Sequence, residues 1–286
     1  IPDIALSRIA IETIAEGNTF LDKLQGYPAD RSKQWRNTTL LMSSGQDAED
    51  EARFEFNAAS ISLNDNFLRH NGFNSRIIMK FPNRIEYQQF QGSTLEIKDA
   101  FNKGAVLANY YGHGGGFQWD LTFLTEDIPT LRNTGRLPFI LSVTCYTAHF
   151  DNQKSFGEQF ILLPERGAIG FMGSTALTQW AEGKAINDTL FNTIYNKKEY
   201  VTGRAILRAY VNSLSASMQI PVIAYLGEPL VRLTLPDNPD FEIRNTDIVT
   251  SPENPVINDT TFVTVRINNL GLKNSNRVTV ELFYSS

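Results

Sequence analysis

From residue 1 to about residue 235, short apolar runs alternate with stretches whose apolar residues recur at helical spacing. Few folds accept that order. Strands alternating with helices favour a parallel or mostly parallel sheet covered by helices on both faces. The strand candidates are residues 39–43, 75–81, 105–111, 139–144 and 168–173. The last three are short and apolar, as strands buried on both faces tend to be. Helices are expected over residues 11–24, 50–69, 94–102, 155–163, 186–196 and 202–214, with a further helical turn at 126–133. Gly104 sits where a helix C-cap is expected.

The pattern changes near residue 236, where Pro236, Pro239, Pro252 and Pro255 fall among Asp and Asn. Beyond this hinge, residues 262–267 and 278–282 alternate apolar with polar. They read as antiparallel strands joined by a turn at Asn268-Asn269-Leu270-Gly271. The expected organisation is therefore an α/β domain over 1–235, then the opening part of an immunoglobulin-like β-sandwich over 236–286. That second segment is too short for a whole sandwich. The chain opens without Met or signal peptide and ends on a strand-like run, so it reads as a segment of a longer precursor.

Composition narrows the function. Hydrophobic residues make up 42% and charged residues 20%, which fits a folded chain with a real core. A net charge of −5 gives no electrostatic case for nucleic acid or an anionic membrane as partner. No apolar run is long enough for a membrane span.

There is one cysteine, Cys145, so neither an internal disulfide nor a Cys-based zinc site is available. It is either a small buried hydrophobe or a nucleophile kept unpaired. Its setting is an apolar run, Phe139-Ile140-Leu141-Ser142-Val143-Thr144, that delivers the cysteine at its end. One strand candidate earlier, Asn109-Tyr110-Tyr111 runs out into Gly112-His113-Gly114-Gly115-Gly116. In open α/β sheets, ligands bind beyond the carboxyl ends of the strands. Two neighbouring parallel strands would set His113 beside Cys145 there. An imidazole can stabilise a thiolate and then protonate a leaving amine. Glycines free backbone N–H groups to meet an oxyanion and permit turns that a Cβ forbids. His70 fits a helix C-terminus, and His149 fits a loop that could line the site. Three histidines so scattered make no metal site. No cofactor is required, although Asp and Asn runs leave room for a structural calcium.

At these residues the chain resembles the gingipain family of bacterial cysteine peptidases, a branch of the caspase-like fold. The matching text is residues 105–114, then Leu137-Pro138-Phe139-Ile140 through Cys145, then residues 167–175, with a late Leu226-Gly227-Glu228-Pro229-Leu230. The resemblance implies a His113–Cys145 dyad, an oxyanion hole from Gly114 and Cys145, and a pocket wall at Trp180 beside Thr178 and Gln179. In a helix where arginine-specific members carry Asp, this chain has Asn57, which cannot supply the charge of an arginine–carboxylate pair. Asp47 is the candidate for the acid that orients the histidine, with a solvated loop acid as the alternative. The implied activity is a secreted or bacterial-surface cysteine endopeptidase acting on protein or peptide substrates through a thioester. The type IX secretion sortase, with an outer-membrane or secretion-system partner, resembles the same family. A non-catalytic surface binding protein on the same fold is the third reading.

Overall fold

The computed structural model describes residues 4–27, 34–44, 52–82, 84–120, 122–151, 154–213, 220–236, 241–243, 247–253, 260–269 and 278–281. The chain divides into two compact units, Ile1–Leu235 and Pro236–Ser286.

The strands of the first unit run in chain order as β1 (Thr38–Ser44), β2 (Asn74–Met79), β3 (Leu107–Gly112), β4 (Gly114–Gly115), β5 (Gln118–Trp119), β6 (Phe123–Leu124), β7 (Phe139–Val143), β8 (Gly170–Ser174) and β9 (Ile223–Gly227). Six of them form one sheet in the order β2-β1-β3-β7-β8-β9. All pairs are parallel except β8 with β9. The short strands β4, β5 and β6 make a separate antiparallel sheet directly after β3.

Helix α1 (Ile14–Gly26) precedes β1, and helices α2 (Ala52–Leu63), α3 (Thr94–Lys103), α4 (Phe156–Leu162), α5 (Trp180–Phe191) and α6 (Thr202–Asn212) lie between the strands in chain order. Helix α1 starts on a capping box, in which the Glu16 N–H donates to Thr13 Oγ1 at 3.2 Å and the Thr13 N–H donates to Glu16 Oε2 at 3.2 Å. Ser155 and Glu158 repeat the device at α4. Helix α2 runs on through Asn64–Leu68 and Arg69–Asn71 and stops at Gly72, whose φ of 77° is the left-handed cap. His70 lies in that last turn, as its sequence context indicates.

Consecutive residues of a strand point to opposite faces, and β3 shows the consequence. Tyr110 joins an aromatic core with Phe101 of α3, Trp119 of β5, Phe156 and Phe160 of α4, and Phe171 of β8. Tyr111 packs on the other side with Phe56 and Ala59 of α2. Asn109 donates through Nδ2 to Asn187 Oδ1 of α5 at 3.0 Å, and both amides are buried. Helix α5 begins at Trp180, six residues earlier than its apolar spacing indicates. Gly183 is the reason that stretch hides its helical face: with no side chain it sits directly against Val143 and Thr178.

In the second unit, β10 (Phe241–Glu242) pairs with β13 (Asn268–Asn269), and β11 (Ile248–Ser251) pairs with β12 (Phe262–Val265), all antiparallel. This corrects the expected hairpin. Phe262–Val265 takes an upstream partner, and residues 278–281 carry no strand. Alternation identifies an extended segment but does not choose its partner.

Lys23 of α1 is buried, and its Nζ donates to the carbonyls of Phe160 at 3.1 Å, Ile161 at 2.7 Å and Leu163 at 3.2 Å. It thereby satisfies the orphan acceptors at the end of α4. Burial lowers its pKa to about 7. The unfolded chain holds that proton to about pH 10.4, so between pH 7 and 10 it binds more protons than the folded one, and stability rises with pH there. Urea unfolding at pH 7 and pH 9 should show wild type gaining about 2 kcal/mol relative to Lys23→Met.

Candidate active site at the sheet rim

Adjacent strands β3 and β7 are in register from Leu107↔Phe139 to Tyr111↔Val143. His113 and Cys145 each lie two residues past that last pair, at the carboxyl rim of the sheet. Both are half-buried, so the cysteine is neither sealed in the core nor fully exposed. The His113 ring stands edge-on to Phe56 with centroids 5.2 Å apart, and Phe56 meets Tyr111 the same way at 5.1 Å. Val143 packs against the same Phe56, Ala59 and Tyr111 group. Residues of both strands therefore share one face near the rim.

The peptide after His113 is fixed from within. Its carbonyl accepts from the Tyr110 hydroxyl at 2.7 Å and from the Asp120 N–H at 3.1 Å. In a planar trans peptide, the N–H points opposite to the C=O, so the Gly114 N–H is aimed away from those two donors. The Asp120-to-His113 bond also makes Gly114↔Trp119 the widely spaced kind of antiparallel pair, in which the Gly114 N–H is not spent on the ladder.

Trp119 anchors the hairpin. It is fully buried, stacks on Tyr110 at 4.8 Å and donates from Nε1 to Ser142 Oγ of β7 at 2.8 Å. Nothing in the sequence singled it out; an aromatic inside a glycine-rich loop was the only trace.

Beyond Val143 the chain leaves the sheet in a tight turn. Tyr146 has φ of 58°, left-handed backbone that an aromatic residue seldom adopts. Two bonds hold it: the Tyr146 N–H donates to the Ala176 carbonyl at 3.0 Å, and the Tyr146 carbonyl accepts from the His149 N–H at 3.2 Å. The His149 ring closes the turn, with Nδ1 2.7 Å from the Tyr146 carbonyl and Nε2 3.4 Å from Asp151 Oδ1. His149 is thus a packed part of the site's frame and more than a loop residue.

Thr178 bridges the turn to the β8–α5 connection. Its N–H donates to Cys145 Sγ at 3.4 Å, and its hydroxyl donates to the Thr144 carbonyl at 2.9 Å. Gln179 is exposed at the N-cap of α5. Trp180 is 45% exposed, and its carbonyl accepts from the Tyr111 hydroxyl at 2.5 Å. Asn57 is fully buried; it accepts from Ser43 Oγ at 2.6 Å, and its Nδ2 lies 3.5 Å from the Phe81 carbonyl. It presents no surface to a ligand in this conformation. Asp47 lies outside the described residues. Among the described residues, no group of three or more His, Cys, Asp or Glu could hold a metal ion, and no helix is long and apolar enough to cross a membrane.

The loop glycines serve space rather than conformational freedom, since none of Gly112 to Gly116 has positive φ. A Cβ at Gly114 would fall 2.7 Å from Thr144 Oγ1, and one at Gly116 would fall 2.3 Å from His149 Cε1; at Gly115 it would meet nothing within 4 Å. Thermal melts should therefore show Gly115→Ala within about 0.5 kcal/mol of wild type, and Gly114→Ala and Gly116→Ala destabilised by about 1–3 kcal/mol.

The comparisons agree with this architecture. The model of Peptidase family C25 matches residues 1–234. Gingipain R2 of Porphyromonas gingivalis is 25% identical over 187 residues, covering 63% of this chain and 24% of the relative. Lys-gingipain of the same organism is 32% identical over 83 residues, 28% of this chain and 5% of the relative. The chain thus spans about a quarter or less of the length of these curated relatives. Among solved structures, the Arg-specific cysteine proteinase gingipain R superposes with a TM-score of 0.67 at 21% identity, covering 83% of this chain and 58% of that one. The complex of Porphyromonas gingivalis RgpB pro- and mature domains also gives 0.67 at 21% identity, covering 85% and 60%. With the family model spanning nearly the whole first unit, this chain belongs to Peptidase family C25, the gingipain-like cysteine peptidases.

Proposed function

We propose that the chain carries a cysteine endopeptidase site, with Cys145 as nucleophile and His113 as its proton-transfer partner. The observation that carries this reading is the equal overrun of β3 and β7: each functional side chain follows the Tyr111↔Val143 pair by two residues. Parallel neighbours lie about 4.8 Å apart, a spacing that suits a thiol and an imidazole sharing a proton.

The chemistry then proceeds in two stages. Cys145 Sγ gives its proton to the His113 ring and attacks the scissile carbonyl carbon, forming a C–S bond. Charge collects on the carbonyl oxygen, and the Gly114 N–H, with that of Cys145, is the donor pair for it. The tetrahedral intermediate collapses, the C–N bond breaks, and His113 returns the proton to the leaving amine. Water next attacks the thioester, His113 takes one of its protons, and the C–S bond breaks to release acid and thiol. The Thr178 N–H donates to Sγ at 3.4 Å and so fixes where the sulfur sits. Trp180 and Gln179, exposed beside this rim, would contact the substrate chain.

Family membership supports action on protein substrates outside the cell or at a bacterial surface. The antiparallel pairs of the second unit support an immunoglobulin-like module.

A mixed-sequence peptide library with mass-spectrometric readout tests the reading. Cys145→Ala should abolish cleavage, and His113→Ala should lower it by about a hundredfold or more. Iodoacetamide at pH 6 should label Cys145 faster than a free cysteine peptide, and His113→Ala should remove the difference. Equal cleavage by wild type and Cys145→Ala would sink the assignment.

A further inference from the structure

The molecule has a cavity of about 20 Å³ beneath the first turns of α5, next to the nucleophile. Its walls come from the ends of β7 and β8, the inner face of α5 and the start of β9, with Val143, Met172, Thr178, Ile186, Leu190 and Ile223 among them. None of the described residues that line it is charged. Most of the lining is buried, and only Val143, Thr178 and Ile223 are partly exposed, so they form its mouth.

Two of these three residues lie beside Cys145. Val143 is the last residue of β7, two before the cysteine, and the Thr178 N–H donates to Sγ at 3.4 Å. Gly183 forms part of the roof: a Cβ there would fall 2.8 Å from Val143 Cγ1 and 2.9 Å from Thr178 Cγ2. Its missing side chain leaves the space between these two residues open. On the neighbouring side of Val143 the ground is already filled, by Phe56, Ala59 and Tyr111. The Tyr111 hydroxyl is tied to the Trp180 carbonyl, and the Asn57 amide is buried against Ser43. On α5, Asp188 is paired with Lys184, and neither Asp188 nor Glu182 lines the cavity.

Resting on the peptidase reading, we infer that this cavity receives the side chain on the acyl side of the scissile bond and selects a very small uncharged residue: alanine or serine. A space of this size holds about one water, so a side chain of one or two heavy atoms fits and a longer one must displace the walls. A guanidinium or ammonium group would be stripped of water there with no carboxylate to meet it. A pocket can reject a charge strongly by leaving it unpaired, whereas it discriminates one methylene only modestly.

The test is a set of fluorogenic peptides identical except at that residue, assayed with the intact protein and with Cys145→Ala as blank. Alanine and serine should exceed arginine and lysine in kcat/KM by at least tenfold. Val143→Ala widens the mouth and should shift preference toward valine by about tenfold. Gly183→Ala narrows it and should lower kcat/KM for alanine more than for glycine, with folding checked by thermal melt. Arginine or lysine as the preferred residue would overturn the inference while leaving the peptidase reading intact. So would a folded Val143→Ala protein with an unchanged profile. Cleavage of no peptide above the Cys145→Ala blank would overturn both.

Discussion

The parallel pairing of β3 with β7 is the constraint from which the rest of the rim follows. Parallel strands present all their carboxyl ends on one edge, so whatever leaves β3 and whatever leaves β7 must emerge side by side. The register Leu107↔Phe139 to Tyr111↔Val143 fixes how far each strand runs before it leaves. A slip of one residue would move His113 or Cys145 to the opposite face. What prevents the slip is burial on both sides. Tyr110 belongs to the aromatic core, Tyr111 to the Phe56 group, and Asn109 to the amide pair with Asn187. Each of the three would lose its partner if the strand shifted.

The loops that leave these strands are then coupled to each other. Trp119 returns from the glycine-rich hairpin to stack on Tyr110 of β3 and to donate to Ser142 of β7, so one side chain ties the hairpin to both strands. Ser142 passes the connection on to Thr147 at 2.9 Å, in the turn after the cysteine. From the other direction, the His149 ring lies against Gly116 and meets Phe117 edge-on at 5.6 Å. The segment after His113 and the segment after Cys145 are therefore one packed unit. A buried hydrogen-bond chain of this kind sets geometry more than it adds stability.

Much of this was legible in the sequence because it depends on period and composition. Apolar runs at 139–144 and 168–173 had to be buried strands, and the lone cysteine at the end of one, with a histidine among glycines at the end of another, marked the rim. What stayed hidden depends on long-range partners. No local pattern says that Trp119 will reach Ser142, or that Tyr146 will be held left-handed by Ala176 and His149. Helix α5 was read six residues short, because Gly183 removes an apolar marker where the helix packs most closely. Asn57 was placed correctly on α2 by its helical context, yet its burial against Ser43 depends on where β1 lies, which spacing along one helix cannot report.

The glycines around His113 illustrate how the two levels differ. From sequence, a run of glycines suggests backbone conformations closed to other residues. Here none of Gly112 to Gly116 uses that freedom, and the pressure is steric from outside the loop. Thr144 precedes Cys145 and crowds Gly114; His149 follows it and crowds Gly116. The strand end and turn that carry the cysteine thus press on the hairpin at two points, with Gly115 between them open to solvent-sized space. The same close approach aims the Gly114 N–H, since the His113 carbonyl is pinned on the inner side by Tyr110 and Asp120. A rim that brings two loops this near has little room for Cβ atoms where they touch, and residue size, rather than backbone preference, decides which glycines can be replaced.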